Sequence, residues 1–240
     1  MRVFVGMETS GQLRNRFAAR GHDVVSCDLL PADDVPIYGL NRHLVGDVFV
    51  MLDRLRVAGW WPDLAIFHPD CTYLTSSAEW AYADPDFDRY PVVGYHQNVR
   101  SETLVGADRR VARAAAVLDW ERIASLPIEH KIAENPARGA LSTLFRKPDQ
   151  TIHPHQFGDD ASKATGLWFW NVESIEIDPT RFVAPRIFNG LPRWANQTDT
   201  GQNRMSPGAD RWKDRSRTYD GIADAIAGHF PPAWGMRAAA

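Results

Sequence analysis

Cysteine is nearly absent from this chain: Cys27 and Cys71 are the only two among 240 residues. Two thiols in separate predicted strand regions exclude a disulfide scaffold and a cysteine-based zinc site. Long apolar runs are missing as well. No stretch approaches the ~18–20 residues that span a bilayer, so no membrane partner is expected. Charge of one sign is also missing. The formal net charge is −3, so the molecule as a whole is not a polycation. There is no internal repeat and no low-complexity segment. The opening Met1-Arg2-Val3-Phe4-Val5-Gly6 runs straight into a strand pattern, so no secretory leader is expected. What the chain has is a 44% hydrophobic composition, enough for a real core in one sizeable domain, or one domain with a small appendage.

The first half alternates strand and helix signals. Val3 to Val5 reads as a buried strand stopping at Gly6. Gln12 to Arg20 reads as a helix with Leu13 and Phe17 on one face, closed by Gly21. Val24 to Cys27 leads to Asp28, and His43 to Val45 leads to Gly46-Asp47. Leu64 to Phe67 leads to Pro69-Asp70-Cys71. A helix over Val111–Ile123 offers Ala114, Ala115, Leu118 and Ile123 for packing. Ile128 to Ala133 then leads to Glu134. Such an order predicts an α/β fold with a mostly parallel sheet, helices on both faces and right-handed crossovers. Ligands of such sheets bind outside the carboxyl ends of the strands. Gly6, Asp28, Asp47, Cys71 and Glu134 all fall there.

Cys71 and Glu134 are the chemical pair. A thiol at one strand end and a carboxyl at another point to covalent chemistry with proton assistance, of the kind needed to attack a pyrimidine ring. A partly buried Glu134 is expected to have a raised pKa. Cys27, inside Val24-Val25-Ser26-Cys27, reads as core. Asp28 and Asp47 read either as strand-end turn formers or as contacts to a nucleoside-bearing ligand. Glu8 reads either as a cap for the helix beginning near Gly11 or as a ligand contact. His153 and His155 form a His-x-His pair with no third ligand placed by spacing, so no metal is expected. Trp168 and Trp170 have strand spacing and read as core.

Two regions break the pattern. Ser76 to Thr103 carries Trp80, Tyr82, Phe87, Tyr90 and Tyr95 without a sustained period and reads as a long loop, a mobile lid beside the thiol. From Arg181 to Arg217, eight basic side chains against three aspartates give +5, leaving −8 for the rest of the chain. That is a phosphate-binding footprint or a solvated basic loop. Tyr219 to Phe230 closes the chain as a helix with Ile222, Ile226 and Phe230 on one face.

These motifs, in this order, resemble the DNA cytosine-C5 methyltransferases, in the short form common on bacteriophage and prophage genomes. The resemblance covers nearly the whole chain. Phe4-Val5-Gly6 resembles the opening of the motif that holds S-adenosylmethionine. Asp28 resembles the acid that binds the ribose hydroxyls, and Gly46-Asp47-Val48 the motif whose aspartate faces the adenine. Pro69-Asp70-Cys71 resembles the Pro-Pro-Cys motif with its nucleophile, and Glu134-Asn135 the Glu-Asn motif that steadies the pyrimidine. Gly221-Ile222-Ala223 resembles the last motif, which folds back beside the first. Glu8-Thr9-Ser10-Gly11 departs from the family's glycines, Asp70 from a second proline, and Pro136 from a valine.

The resemblance implies a class I methyltransferase-like (Rossmann-like) fold. Residues 1–170 would form the catalytic and cofactor-binding domain, 171–217 a short irregular target-recognition segment, and 218–237 a returning helix. It implies catalysis by Cys71, Glu134 and Asn135 on a flipped cytosine. Phe4, Gly6, Glu8, Ser10, Asp28, Leu29, Asp47 and Pro69 would hold S-adenosylmethionine. His153, His155, Lys163, Arg211, Lys213, Arg215 and Arg217 would contact DNA. A monomer in the cytoplasm is expected, the host's if the protein is phage-encoded. Altered residues around Glu8 leave a second donor open, 5,10-methylenetetrahydrofolate, with a hydroxymethyl product. A third reading is an inactive DNA-binding homologue.

Overall fold

The structure is a computed structural model and describes residues 1–34, 41–76, 78–204, 217–231 and 234. Its centre is a seven-stranded sheet: β1 (Arg2–Gly6), β2 (Asp23–Asp28), β3 (Asn41–Val45), β4 (Leu64–Phe67), β5 (His130–Pro136), β6 (Gln150–Ile152) and β7 (Thr165–Trp170). The spatial order is β3-β2-β1-β4-β5-β7-β6. Strands β1 to β5 pair in parallel, and β7 runs antiparallel to both β5 and β6. The fold is therefore α/β with a mostly parallel, Rossmann-like sheet. The strand order reverses between β1 and β4, which places a crevice outside their carboxyl ends.

The two-residue period of the strands sorts the core into two layers. Val3, Val5, Val24, Leu64, Ile66 and Ile132 face one side, where they meet Leu13 and Phe17 of α1 (Gln12–Ala19). Ile222, Ile226 and Phe230, from α5 (Asp220–His229) and its end, complete that layer. Phe4, Val25, Cys27, Ala65, Phe67 and Ala133 face the other side. There Leu52 of α2 (Val48–Val57) and Trp120 and Ile123 of α3 (Gly106–Ser125) cover them. Helices on both faces leave β1 and β4 no wet side, so both read as unbroken apolar runs. A short α4 (Leu141–Leu144) follows β5.

The last helix returns to the first. Arg16 pairs with Asp220 and Asp224, each at 2.7 Å, and Phe17 packs on Phe230. Asp159 accepts the Gly221 amide at 2.9 Å.

Several expectations need correction. Helix α3 begins at Gly106 rather than Val111, and Leu118 is exposed while Trp120 is the buried anchor. Strand β5 continues through Glu134 and Asn135 because β7 pairs with it as far as Pro136↔Thr165. Glu134 is thus held inside a sheet rather than in a loop. The segment after Trp170 is not wholly irregular. β8 (Arg186–Phe188) and β9 (Leu191–Arg193) form a hairpin around Asn189-Gly190, both with positive φ. An Asn-Gly pair between apolar residues is a strong hairpin signal, and it was readable in the sequence. Ile187 and Leu191 stand exposed on it.

The loop after Cys71 is also more fixed than a free lid. A 3-10 turn at Glu79–Tyr82 lies against α3. Arg113 pairs with Glu79 at 2.6 Å, donates to the Tyr73 carbonyl and stacks on the Tyr82 ring. The Tyr82 hydroxyl donates to the same carbonyl at 2.8 Å.

Candidate active site

The carboxyl ends of β4 and β5 sit side by side, with Phe67 paired to Ala133. The next residues are the candidate site, His68-Pro69-Asp70-Cys71 on one chain segment and Glu134-Asn135 on the other. Four contacts bind the two segments and their continuations together. The buried Asn135 side chain donates Nδ2–H to the Pro69 carbonyl at 2.8 Å. His68 Nδ1 lies 3.2 Å from Glu134 Oε2. Farther along, Thr75 bridges to Gly139, and the Ala140 amide donates to the Leu74 carbonyl at 2.7 Å. The backbones approach so closely there that a Cβ on Gly139 would overlap the Leu74 carbonyl oxygen.

The Cys71 thiol is partly exposed and not in a disulfide. Its carbonyl accepts the Leu74 and Thr75 amides, a tight turn that holds the residue at the crevice rim. Asp70 is turned to local duty, accepting from the Thr72 amide and hydroxyl at 2.9 and 2.6 Å. Cys27 is a different thiol. It is fully buried, and burial together with Asp28 and Asp47 pushes its pKa up to about 12. It is unsuited to nucleophilic work at neutral pH.

Glu134 departs from expectation in its ionisation. Burial pushes its carboxyl up, but the Lys163 charge and the His68 hydrogen bond and charge outweigh that. The net shift is downward, so the group is a carboxylate at neutral pH. Lys163, expected at phosphates, is the charge that does most to hold the Glu134 carboxyl down.

The ends of β1, β2 and β3 form the other half of the crevice. Gly6 closes β1, and its carbonyl accepts the His68 amide at 3.0 Å. Glu8 is only 6% exposed. Its Oε1 caps α1, accepting the Gln12 amide at 2.8 Å and the Ser10 hydroxyl at 2.6 Å. Its Oε2 is buried without a hydrogen-bond partner among the described residues. The cap and ligand-contact readings therefore apply to different oxygens. Asp28 Oδ1 accepts the Leu30 amide, and Asp47 Oδ1 accepts the Phe49 and Val50 amides as the N-cap of α2. Leu29 is 73% exposed beside Asp28. Phe4 needs correction: it is fully buried against Phe67 in the core and offers no surface to a ligand. Pro69 is buried, and its carbonyl takes the Asn135 bond.

No known family model and no curated protein matches this chain. Among the described residues, no cluster of three or more His, Cys, Asp or Glu side chains could hold a metal ion. No helix there is long and apolar enough to cross a membrane.

The remaining expected contacts divide. His155 is buried in a stack, 4.1 Å from the Trp194 ring and 5.0 Å from His153. That packing, rather than a phosphate, occupies it. His153 is half-buried beside it. Burial pushes both imidazoles below their usual pKa; Arg138 adds to this for His153, and His153 for His155. Arg186 pairs with Asp199 at 2.6 Å, and Arg193 donates to the Asp199 carbonyl, so both brace the hairpin. Arg217 is exposed just before α5. Arg211, Lys213 and Arg215 lie outside the described residues. Two shallow clefts lie at the opposite, amino end of the strands, around Arg2 and Asp23 and around Pro127 and His130. They are far from this chemistry. His68 was the residue the sequence reading missed. Its position directly after an apolar strand and before Pro69 was the available signal.

Proposed function

We propose that this chain transfers a methyl group from S-adenosylmethionine to C5 of cytosine in DNA. The observation that carries this reading is the fastening of the Cys71 turn to the Glu134-Asn135 strand end by the Asn135–Pro69 hydrogen bond. A nucleophile and a carboxylate that must act on opposite parts of one small ring need a fixed separation.

The acids along the β1–β3 ends support the donor. Glu8 Oε2 is a buried oxygen without a donor among the described residues, which fits an ammonium group of the ligand. Asp28 and Leu29 fit a ribose and the ring beside it, and Asp47 an adenine amine. Three acids suit a donor rich in N–H, O–H and positive charge better than a folate with its own carboxylates. When bound, S-adenosylmethionine supplies a methyl group on a positively charged sulfur that leaves as a neutral thioether.

The chain's own residues do the rest. Cys71 Sγ adds to C6 of the extruded base, and the ring becomes nucleophilic at C5. Glu134 receives the exocyclic amine and faces N3. Loss of the C5 proton then expels Cys71. Extruding a paired base costs a few kcal/mol.

The test is to incubate the protein with unmodified DNA and S-adenosylmethionine, digest to nucleosides and weigh them. A deoxycytidine heavier by one methyl group is expected from the natural protein and none from Cys71→Ala. Full turnover by Cys71→Ala would overturn the mechanism.

A further inference from the structure

Glu134 as a carboxylate leaves a chemical gap. Attack at C6 is easy only when N3 carries a proton, and an ionised carboxyl has none to give. The neighbour that does is His68. Its Nδ1 lies 3.2 Å from Glu134 Oε2, and the two side chains are 9% and 11% exposed. Its Nε2 is buried without a hydrogen-bond partner among the described residues. A buried imidazole with one nitrogen on a carboxylate and the other unsatisfied is costly, and such a group calls for a functional reason. The charges that reach Glu134 are Lys163, from the segment before β7, and His68 itself. Both His68 and Glu134 are fixed by backbone: the His68 amide is bonded to Gly6, and Glu134 is paired with Leu167 in the sheet.

We propose that His68 is the proton source for the pyrimidine ring, delivering its Nδ1 proton through Glu134 to N3. This rests on the cytosine-C5 reading above. The step balances without a further reactant. The imidazolium gives Nδ1–H to Glu134, and Glu134 gives a proton to N3. The Cys71 thiolate forms the Sγ–C6 bond, the C5=C6 pair moves to C4–C5, and the C4=N3 pair moves onto N3. After C5 has taken the methyl group, solvent water removes the C5 proton, the C5–H pair re-forms C5=C6 as the Sγ–C6 bond breaks, and the N3 proton returns through Glu134 to His68. The ring is never asked to hold a negative charge, and Glu134 stays the only group of the pair that touches the base. His68 acts through it, as a positioning and proton-supplying residue.

The test compares the natural protein with His68→Asn, whose amide can still donate to Glu134 but has no proton to transfer. Two DNA substrates are used with S-adenosylmethionine, one with cytosine and one with 5-azacytosine at the target. The ring nitrogen at position 5 of the latter already draws electrons from C6, so adduct formation leans less on the N3 proton. General acid assistance contributes about 10²–10⁴-fold. On cytosine, His68→Asn is therefore expected to methylate roughly 100-fold or more slowly. On 5-azacytosine, the variant should form the covalent complex within about tenfold of the natural protein, because Cys71 and Glu134 are undisturbed. Equal losses on both substrates would overturn the inference and make His68 structural. So would cytosine methylation at the natural rate. A natural protein that neither methylated the cytosine DNA nor formed a covalent complex with the 5-azacytosine DNA would instead sink the methylation reading, and the inference with it.

Discussion

Replacing Asn135 by alanine removes the donor that joins the Glu134 strand end to the Cys71 turn. Asn135 is 2% exposed, and its Nδ2–H meets the Pro69 carbonyl at 2.8 Å. Pro69 is buried too, so the substitution leaves its carbonyl oxygen without a protein partner. A buried acceptor left unpaired costs about 1–3 kcal/mol. For a chain of this size each kcal/mol lowers the melting temperature by about 2–4 °C, so Asn135→Ala should melt about 2–12 °C lower. The effect on rate should exceed the effect on stability. A shift of about 1 Å between reacting groups can cost ~100-fold, and this bond is one of the contacts that hold the Cys71 turn against the Glu134 strand end. Thermal unfolding followed by circular dichroism measures the first effect, and methyl transfer under saturating DNA the second. Asn135→Asp sharpens the test, since it keeps the size but turns an acceptor toward an acceptor. A variant that melts within 1 °C of the natural protein and methylates at its rate would refute the argument that this bond couples the two segments.

Further outcomes follow from the same geometry. Gly139→Ala would drive a methyl group into the Leu74 carbonyl oxygen, so it should cost about 1–3 kcal/mol as overpacking does and expose residues 72–76 to protease. An unchanged cleavage pattern would show that the two loops are not held together there. Glu8→Gln keeps an oxygen for the Gln12 amide and loses the charge. Calorimetry should therefore find S-adenosylmethionine bound about 10–150-fold more weakly, the worth of one charge-assisted hydrogen bond, with the melting temperature little changed. Equal affinity would remove Glu8 from the donor site.

Stability should also depend on pH in two windows. Burial holds His22, His153 and His155 below the usual imidazole value of 6.5. The unfolded chain takes up these protons first, so stability is full above that value and is lost as the pH falls below it. Glu134 lies below the carboxyl value of 4.5. Its contribution is therefore present above 4.5 and lost as the pH falls through its lower folded value. Urea midpoints at pH 7.5, 5.5 and 4 should decrease in that order, and a flat series would contradict the burial of these rings.

Much of the framework is local and was therefore legible in the chain. Val3 to Val5 and Leu64 to Phe67 are apolar on both faces, which only a strand covered on both sides tolerates. Gly21 has positive φ at the end of α1, where a helix stop was read. Asp28, Asp47, Cys71 and Glu134 stand at or beside strand ends because parallel strands all deliver their carboxyl ends to one edge. Pairing at a distance was not legible. That β7 turns back antiparallel beside β5, and so draws Glu134 into the sheet, depends on register between residues about thirty positions apart. Phe4 and Leu29 belong to neighbouring motifs in sequence, yet one is sealed in the core and the other exposed; which side a residue faces is settled by what packs there. The ionisation of Glu134 was read upward from burial alone. Only the fold brings the Lys163 charge to bear on it and sets His68 at 3.2 Å, and together these outweigh the loss of water. The sequence by itself determined which polar residues stand at or beside strand ends and that these share one edge of the sheet. The tertiary structure decided their partners, because hydrogen bonds and charges act through space rather than along the chain.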